Sequence, residues 1–212
     1  MFKKNLEKIY KKYNERASKN EDDVVLNFID SMGVKDEKTK YFEVGSGTGR
    51  FPEIIQKKRP DFSVKCLEIN NDLVNMTRGK DLDTVLGSVL NLPFQNEEFD
   101  IVHCSHVIEH FGYPDIIQVF DEIFRVTKNK GCVIIRSPLM HRGFYFDIDH
   151  VRPYPPESIL NYYNNPQQQA VGKCKIEKIK VWYRREVVSA WFLPEIPRKA
   201  IDLLLRILWI YI

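Results

Sequence analysis

Apolar positions along the chain repeat with two different periods. Short apolar runs that predict strands occupy residues 41–44, 63–69, 84–89, 99–104 and 132–135. Apolar residues recur every three or four positions in residues 51–58, 72–78 and 115–127, and these segments predict helices. Strands that are apolar on both faces and alternate with helices are typical of a parallel sheet. The pattern therefore predicts an α/β protein with a central, mostly parallel sheet and helices on both faces.

The two ends of the chain follow other patterns. Residues 2–28 carry apolar positions at helical spacing among charges, which predicts two helices separated by the polar residues 18–23. After residue 139 the sequence turns polar, aromatic and proline-rich, with a short helix predicted over 156–163 and a strand over 175–183. We therefore expect three parts: an N-terminal helical extension (1–33), an α/β domain (34–183) and an apolar tail (184–212).

One turn is predicted from a glycine. The polar residues 128–131 separate the helix over 115–127 from the fifth strand. Gly131 suits a left-handed helix cap, because glycine adopts positive φ without steric cost. The sequence therefore predicts a capping turn before the strand that begins at Cys132.

Composition and charge narrow the classes of function. The 212 residues are 43% apolar and 29% charged with a net charge of +3, as in an ordinary globular protein. The basic residues form no stripe, so no nucleic-acid partner is expected. The four cysteines form no CxxC pair, and their spacing predicts neither a disulfide framework nor a metal site. A charged N-terminus without an apolar secretory core predicts a cytoplasmic protein.

A glycine loop follows the first predicted strand. Its sequence is Gly45-Ser46-Gly47-Thr48-Gly49, and the next residue is Arg50. In open parallel sheets ligands bind beyond the carboxyl ends of the strands, and a following helix offers free N–H groups. The dinucleotide pattern GxGxxG would need glycine where Arg50 stands, and the Gly-Lys-Ser/Thr ending of a P-loop is absent. The loop therefore disfavours both NAD and nucleoside triphosphates.

Further motifs follow this loop in order. They are EVGSGTG (43–49), Glu68 at the end of the second strand, GSVLNLPF (87–94), EFDIV (98–102), VIEH (107–110), EIFRVTKNKG (122–131) and DHVRPYPPESI (149–159). This series resembles class I S-adenosylmethionine (SAM)-dependent methyltransferases, in particular the methyltransferase type 11 subgroup. The resemblance covers roughly residues 40–138, and more loosely reaches residue 160. It implies a Rossmann-like fold and SAM as the cofactor.

The resemblance also implies cofactor-binding residues. The methionine part of SAM would lie on Gly45, Ser46, Gly47 and Gly49, with Glu43 bracing the loop or meeting the cofactor amino group through water. Glu68 would accept hydrogen bonds from the ribose hydroxyls. Ser88 and the Val89 N–H would contact adenine, although the family usually has aspartate where Ser88 stands. Ser105 would line the floor near the reactive methyl group.

The catalytic candidates lie on the acceptor side. The resemblance places His106 near the methyl group, and His150 and Tyr154 in a segment that forms a lid or acceptor pocket in relatives. These three side chains could orient or deprotonate an acceptor. His110 and His141 are further candidate bases. Alternatively, His150 and Arg152 brace the loop. Pro155 replaces a threonine or serine of the family pattern, which removes a helix cap.

The apolar tail leaves two interpretations open. Residues 198–212 could form an interfacial helix that contacts a membrane peripherally, with Trp209 and Tyr211 at the headgroups. They could instead pack on the sheet or on a second copy in a homodimer. We expect a SAM-dependent methyltransferase acting on a small-molecule or lipid-linked acceptor. The alternatives are a non-catalytic, methyltransferase-like protein that binds SAM or a partner, and a nicotinamide oxidoreductase, which Arg50 disfavours.

Overall fold

The computed structural model describes residues 21–33, 38–140, 144–165, 167, 174, 176, 177 and 180–182. The chain divides into two units, Met1–Lys178 and Ile179–Ile212, and every element below belongs to the first. The predicted helix before residue 21, His141, most of the strand predicted over 175–183 and the tail over 184–212 lie outside the described residues. Within the described ranges, no helix is long and apolar enough to span a bilayer.

Within the described part of the chain, five parallel strands form the central sheet. They are β1 (Thr39–Val44), β2 (Phe62–Glu68), β3 (Asp83–Leu86), β4 (Phe99–Ser105) and β5 (Thr127–Arg136). Their order in the sheet is β3-β2-β1-β4-β5, and every neighbouring pair is parallel. After β3 the chain crosses to the other side of β1, so the strand order reverses between β1 and β4. Such a reversal opens a crevice at the carboxyl ends of the strands, where ligands bind. The predicted Rossmann-like α/β fold is confirmed.

Five α-helices accompany the strands among the residues that the structure describes. They are α1 (21–31), α2 (Arg50–Lys58), α3 (Asn71–Arg78), α4 (Asp115–Val126) and α5 (Pro156–Asn164). The start of α3 is capped by Asn70, whose side chain accepts hydrogen bonds from the N–H groups of Asp72 and Leu73. The start of α5 has no side-chain cap, because Pro155 occupies the capping position. The weakened cap expected from Pro155 is therefore confirmed.

The core lies on both faces of the sheet. One cluster joins apolar side chains of α1 and α2 to strand residues that include Tyr41 and Ile101. The other joins α4 and α5 to the alternate strand residues, among them Phe42 and Val102. Successive strand residues point to opposite faces, so helices cover the sheet on both sides, as the sequence predicts. Each fully buried large apolar side chain contributes about 1.5–3 kcal/mol.

The predicted capping turn at Gly131 is wrong. Strand β5 begins at Thr127, and Gly131 does not have positive φ, whereas the adjacent Lys130 has φ 60°. A Cβ atom on Gly131 would lie 2.7 Å from the carbonyl oxygen of Lys128. The pairing of β4 with β5 also shifts register between Phe99 and Ile101. Glycine stands here because the backbone approaches itself closely at an irregularity of the sheet.

Candidate active site

The glycine loop joins β1 to α2 at the carboxyl edge of the sheet. Gly45, Gly47 and Gly49 have φ values of 69°, 54° and 77°, a region that side chains with a Cβ rarely adopt. The Ser46 N–H donates to the carbonyl oxygen of Leu67 at 2.9 Å, which fixes the loop to the end of β2. Alternate left-handed residues thus fold the chain back sharply before α2 begins.

The three glycines meet different surroundings. A Cβ on Gly45 would lie 2.6 Å from the Val107 side chain, and one on Gly49 would lie 2.8 Å from Leu82. A Cβ on Gly47 would meet nothing within 4 Å. Gly47 therefore presents open backbone against which a ligand can lie. The neighbouring Ser46 Oγ is buried and has no hydrogen-bond partner in the described part of the chain, so it is available to a ligand group.

Glu68 lies at the end of β2 and is buried, with 6% of its surface exposed. One carboxylate oxygen accepts from the Gly47 N–H at 2.8 Å, and the other accepts from the N–H groups of Ile69 and Asn70 at 3.0 Å. The side chain therefore connects the second strand to the open part of the glycine loop. A carboxylate oxygen can accept two hydrogen bonds, which leaves Oε2 able to accept from a ribose hydroxyl. That contact stays a prediction.

Glu43 lies beneath the loop and is buried. Its carboxylate accepts a hydrogen bond from the Tyr41 hydroxyl and lies 2.9 Å from Nδ1 of His103, its register partner on β4. Burial, together with the Glu43 carboxylate, raises the pKa of Tyr41 well above its usual value. Glu43 thus ties β1 to β4 at the strand end before the loop. Its predicted support of the loop and its contact with the cofactor stay predictions.

Sequence reasoning missed His103. This side chain is fully buried, and its Nε2 has no hydrogen-bond partner among the residues described. A signal was present, since a histidine in the middle of the apolar run FDIVHC needs a polar partner inside the protein. The parallel pairing of β1 with β4 supplies that partner as Glu43.

Ser88 and Val89 follow β3 at the same edge. The Ser88 hydroxyl accepts from the Leu90 N–H at 3.2 Å, which holds a local turn and leaves its own O–H free to donate. The Gly87 N–H donates to the Glu68 carbonyl at 3.0 Å, so this turn lies directly beside the end of β2. The structure brings both residues next to Glu68, and their contact with adenine stays a prediction.

Known proteins are similar to part of this chain in sequence. Residues 42–135 match a family model described as a methyltransferase domain. The part of the chain that runs from β1 to β5 is thus similar to methyltransferase domains. An uncharacterized protein of Methanocaldococcus jannaschii is 32% identical over 117 residues, 54% of this chain and 48% of that protein. A demethylmenaquinone methyltransferase of Thermotoga maritima is 28% identical over 98 residues, 45% of this chain and 42% of that enzyme. The chain thus spans about half the length of these relatives.

Solved structures share the fold of the methyltransferase domain. A SAM-dependent methyltransferase from Archaeoglobus fulgidus superposes with a TM-score of 0.54 at 19% identity, covering 79% of this chain and 78% of that one. A protein from Galdieria sulphuraria, proposed to be a sarcosine dimethylglycine methyltransferase, has a TM-score of 0.61 at 20% identity. The superposed part covers 69% of this chain and 60% of the Galdieria protein.

The predicted acceptor side of the site begins where β4 ends at Ser105. His106 has φ 55°, its side chain is 58% exposed, and its Nδ1 lies 3.2 Å from Oε1 of Glu109. Histidine adopts this left-handed conformation more readily than most residues, and unusual backbone geometry gathers at functional sites. Val107, the next residue, contacts Gly45. The glycine loop and the His106 turn are therefore adjacent.

A loop folds back onto this turn and brings the remaining predicted residues to it. The Val151 N–H donates to the Glu109 carbonyl at 2.8 Å. The Tyr154 hydroxyl donates to the Phe111 carbonyl at 2.8 Å, and burial raises the pKa of Tyr154. Nδ1 of His150 lies 2.7 Å from the Phe144 carbonyl oxygen. Tyr154 thus holds the loop as a protonated phenol, and the proton-transfer roles of Tyr154 and His150 stay predictions.

Charged residues of α1 form ion pairs at the carboxyl edge of the sheet. Asp22 forms ion pairs with Arg50, at the start of α2, and with Arg136, at the end of β5. Arg136 also pairs with Glu21 at 2.8 Å. Hydrogen bonding to Asp22 raises the pKa of Arg50. Helix α1 is therefore anchored at the carboxyl edge, which the sequence pattern did not indicate.

Proposed function

We propose that this protein transfers a methyl group from SAM to a small-molecule or lipid-linked acceptor whose hydroxyl group loses its proton during the reaction. The observation that carries the proposal is the His106–Glu109 pair beside the glycine loop. Its Nδ1–Oε1 separation is 3.2 Å, and Val107 links it to Gly45. An imidazole oriented by a carboxylate is a general base.

The glycine loop and its neighbours fit the cofactor. Gly47 offers open backbone, Ser46 an unused buried hydroxyl and Glu68 a buried carboxylate at the edge of the crevice. Bound SAM supplies a methyl group on a sulfonium, which moves to the acceptor as the C–S bond breaks and its electron pair stays on sulfur. The loop then has to place this methyl group in line with the acceptor, and positioning of this kind accounts for much of enzymatic acceleration.

His106 handles the proton in this proposal. A carboxylate only accepts hydrogen bonds, so Nδ1 carries the hydrogen that faces Glu109, and Nε2 keeps a lone pair. Nε2 takes the proton of the acceptor hydroxyl, and the electron pair of the broken O–H bond stays on the acceptor. The acceptor then attacks the methyl group. The exposed His106 side chain gives an acceptor access, while buried Glu109 fixes the ring from behind.

The lipid-linked form of the acceptor has its own support. Demethylmenaquinone methyltransferases of Thermotoga maritima and Lactococcus lactis are among the relatives. The apolar residues 201–212 offer a sequence segment suited to a lipid surface. A hydroquinone with and without a polyprenyl chain therefore separates the two acceptor classes, since a lipid-adapted enzyme turns over the prenylated form faster.

The proposal is tested by replacing His106 with asparagine, which tolerates the left-handed backbone. Transfer of labelled methyl from SAM is measured with phenols, hydroquinones and hydroxy acids as acceptors. We expect kcat to fall by about 10²–10⁴, because a general base is lost. SAM affinity should stay within about threefold, because the side chain makes no loop contact. Unchanged kcat in His106→Asn would remove His106 from the reaction. A wild-type protein that binds SAM but methylates none of these acceptors would contradict the proposal.

A further inference from the structure

Three potential metal ligands meet beneath the His106 turn. A carboxylate oxygen of Glu109 and one ring nitrogen from each of His110 and His150 lie within 4.8 Å of one another. Two of these residues come from the turn after β4 and the third from the loop that folds over it. We propose that Glu109, His110 and His150 hold a divalent transition-metal ion.

The two histidines are already oriented as ligands. Nδ1 of His150 lies 2.7 Å from the Phe144 carbonyl oxygen, and Nδ1 of His110 lies 3.3 Å from that of Asp149. A carbonyl oxygen only accepts, so each Nδ1 carries the hydrogen and each Nε2 keeps its lone pair. Metal-binding histidines typically donate their other N–H to a carbonyl or carboxylate in this way.

Glu109 provides an independent reason to expect a cation. Its side chain is 0% exposed, and its Oε2 has no hydrogen-bond partner among the described residues. Its other oxygen has only the 3.2 Å contact with His106. Burying a carboxylate oxygen without a partner is costly. A bound cation would remove that cost.

Backbone contacts hold the three residues together. The N–H groups of Val151 and Arg152 donate to the Glu109 carbonyl at 2.8 and 3.3 Å. The rings of His110 and His150 are 5.2 Å apart between centroids. The loop is thus fixed to the turn, and the ligands come from segments about forty residues apart in the sequence. Ligands this far apart form no recognisable spacing motif, so the sequence alone does not predict a metal site.

The donor set indicates the class of metal. Two imidazoles and one carboxylate suit Zn²⁺, Co²⁺, Mn²⁺ and Fe²⁺, and leave coordination positions open for a substrate oxygen. Bonds of about 2.0–2.2 Å require the ligand atoms to close in by small side-chain rotations. The exposed carboxylate of Asp147 lies 3.6 Å from His150 Nε2, and that of Asp149 lies 3.3 Å from His110 Nδ1. Both add negative charge beside the three ligands, which favours a bound cation.

The site would also narrow the acceptor class. This step rests on the proposed function, whereas the metal site itself does not. An open coordination position beside His106 would polarise an acceptor hydroxyl and make its proton easier to remove. Acceptors with two neighbouring oxygens, such as catechols or hydroxy acids, would bind the ion through both.

The test is a titration of chelator-treated, full-length protein with Co²⁺ alone, followed by visible absorption and calorimetry. We expect one equivalent to bind, with nitrogen and oxygen ligation and no thiolate charge-transfer band. Glu109→Gln and His150→Gln should each weaken binding by more than about a hundredfold, since even loss of an outer partner costs 10–100-fold. Glu53→Gln, which removes an exposed carboxylate paired with Lys57 and Lys80, is the matched control and should bind as the wild type does.

Two further readouts keep the test decisive. Thermal unfolding of each metal-free variant shows whether it is folded, and His150→Gln provides the result if Glu109→Gln is not. SAM affinity of the metal-free wild type is measured separately, so that a missing metal site is distinguished from a missing cofactor site. A folded wild-type protein that takes up no stoichiometric Co²⁺, or variants that bind it as tightly as the wild type, would overturn the proposal.

Discussion

At the residue scale, Glu68 has two possible roles, holding the glycine loop and contacting a ligand, and the sequence could not separate them. The sequence placed a carboxylate at the end of the second strand, where it could meet a ribose. In the structure its carboxylate oxygens also accept hydrogen bonds from three backbone N–H groups, including that of Gly47. Glu68 therefore shapes the loop as well as offering an acceptor to a ligand, and an experiment has to distinguish the two.

Replacing Glu68 with alanine should weaken SAM binding by more than about tenfold, because charge-assisted hydrogen bonds are lost. The ribose contact is isolated by comparing 5′-methylthioadenosine with its 2′-deoxy analogue in calorimetric titrations. The deoxy analogue should bind the wild type about tenfold more weakly and Glu68→Ala with little further loss. Asp72→Ala, which removes a nearby exposed carboxylate on α3, should leave both affinities unchanged. An equal deoxy penalty in wild type and Glu68→Ala would mean that Glu68 only shapes the loop.

Residue identity alone predicts some of the site and not the rest. The alternate glycines and the acidic strand end are local signals, so they can be recognised from the sequence. The Glu43–His103 pair depends on strand register, and the meeting of Glu109 with His150 depends on how a distant loop folds back. Contacts between segments far apart in the sequence leave no spacing signal of their own.

At the element scale, α4 holds the loop that follows Ser88 and Val89, the predicted adenine contacts. Arg125 donates to the carbonyl oxygens of Leu92 and Phe94 at 3.0 and 2.8 Å. Glu122 accepts from the Leu92 N–H at 2.7 Å and pairs with Arg125. Two stretches noted in the sequence, LNLPF and EIFRV, are thus in direct contact. The fork of the guanidinium explains why arginine stands there.

Replacing Arg125 with alanine should lower the free energy of unfolding by about 2 kcal/mol, because charged hydrogen bonds to backbone carbonyls are lost. Arg125→Lys should recover only part of this, since an ammonium cannot reproduce the planar fork. Lys57→Ala removes only an exposed ion pair and should cost about 0.5 kcal/mol or less. Urea unfolding of the three variants measures these differences. Equal stability of Arg125→Ala and wild type would show that the loop does not depend on α4.

The pair of Glu122 and Arg125 should also make the free energy of unfolding depend on pH. Hydrogen bonding to Arg125 lowers the pKa of Glu122 below its ordinary value. A carboxylate whose pKa is lower in the folded state stabilises the protein at pH values above its ordinary pKa. This stabilisation is lost as the pH falls through the pKa of the folded state. The penalty of Arg125→Ala should therefore be smaller near pH 3 than near pH 7.

The order of the elements was predictable, but the end of β3, at Leu86 rather than Val89, and the start of β5 were not. Apolar periodicity indicates five strands and the helices between them, because parallel strands are buried on both faces. It misplaced the start of β5, since residues 128–131 have turn composition. These residues nevertheless belong to the strand, because Thr127 pairs with Phe99. The register of the pairing then shifts before Cys132, which pairs with Ile101.

At the scale of the whole molecule, the reversal of strand order decides where the chemistry lies. The carboxyl ends of β1, β2 and β4 bring the glycine loop, Glu68 and His106 to one edge of the sheet. Ion pairs from Asp22 hold α1 at the same edge. The glycine loop and the His106 turn therefore adjoin at Gly45 and Val107.

Calorimetric titration of the purified protein with SAM, with S-adenosylhomocysteine and with NAD tests the cofactor site most directly. We expect SAM and S-adenosylhomocysteine each to bind one site, and SAM at a hundred times its Kd to stabilise the fold by about 2.7 kcal/mol. NAD should give neither heat of binding nor a rise in Tm, because Arg50 stands at the third glycine position of the dinucleotide pattern, where glycine allows the close helix–strand packing of such sites. Binding and stabilisation by NAD, without either effect from SAM, would contradict the assignment.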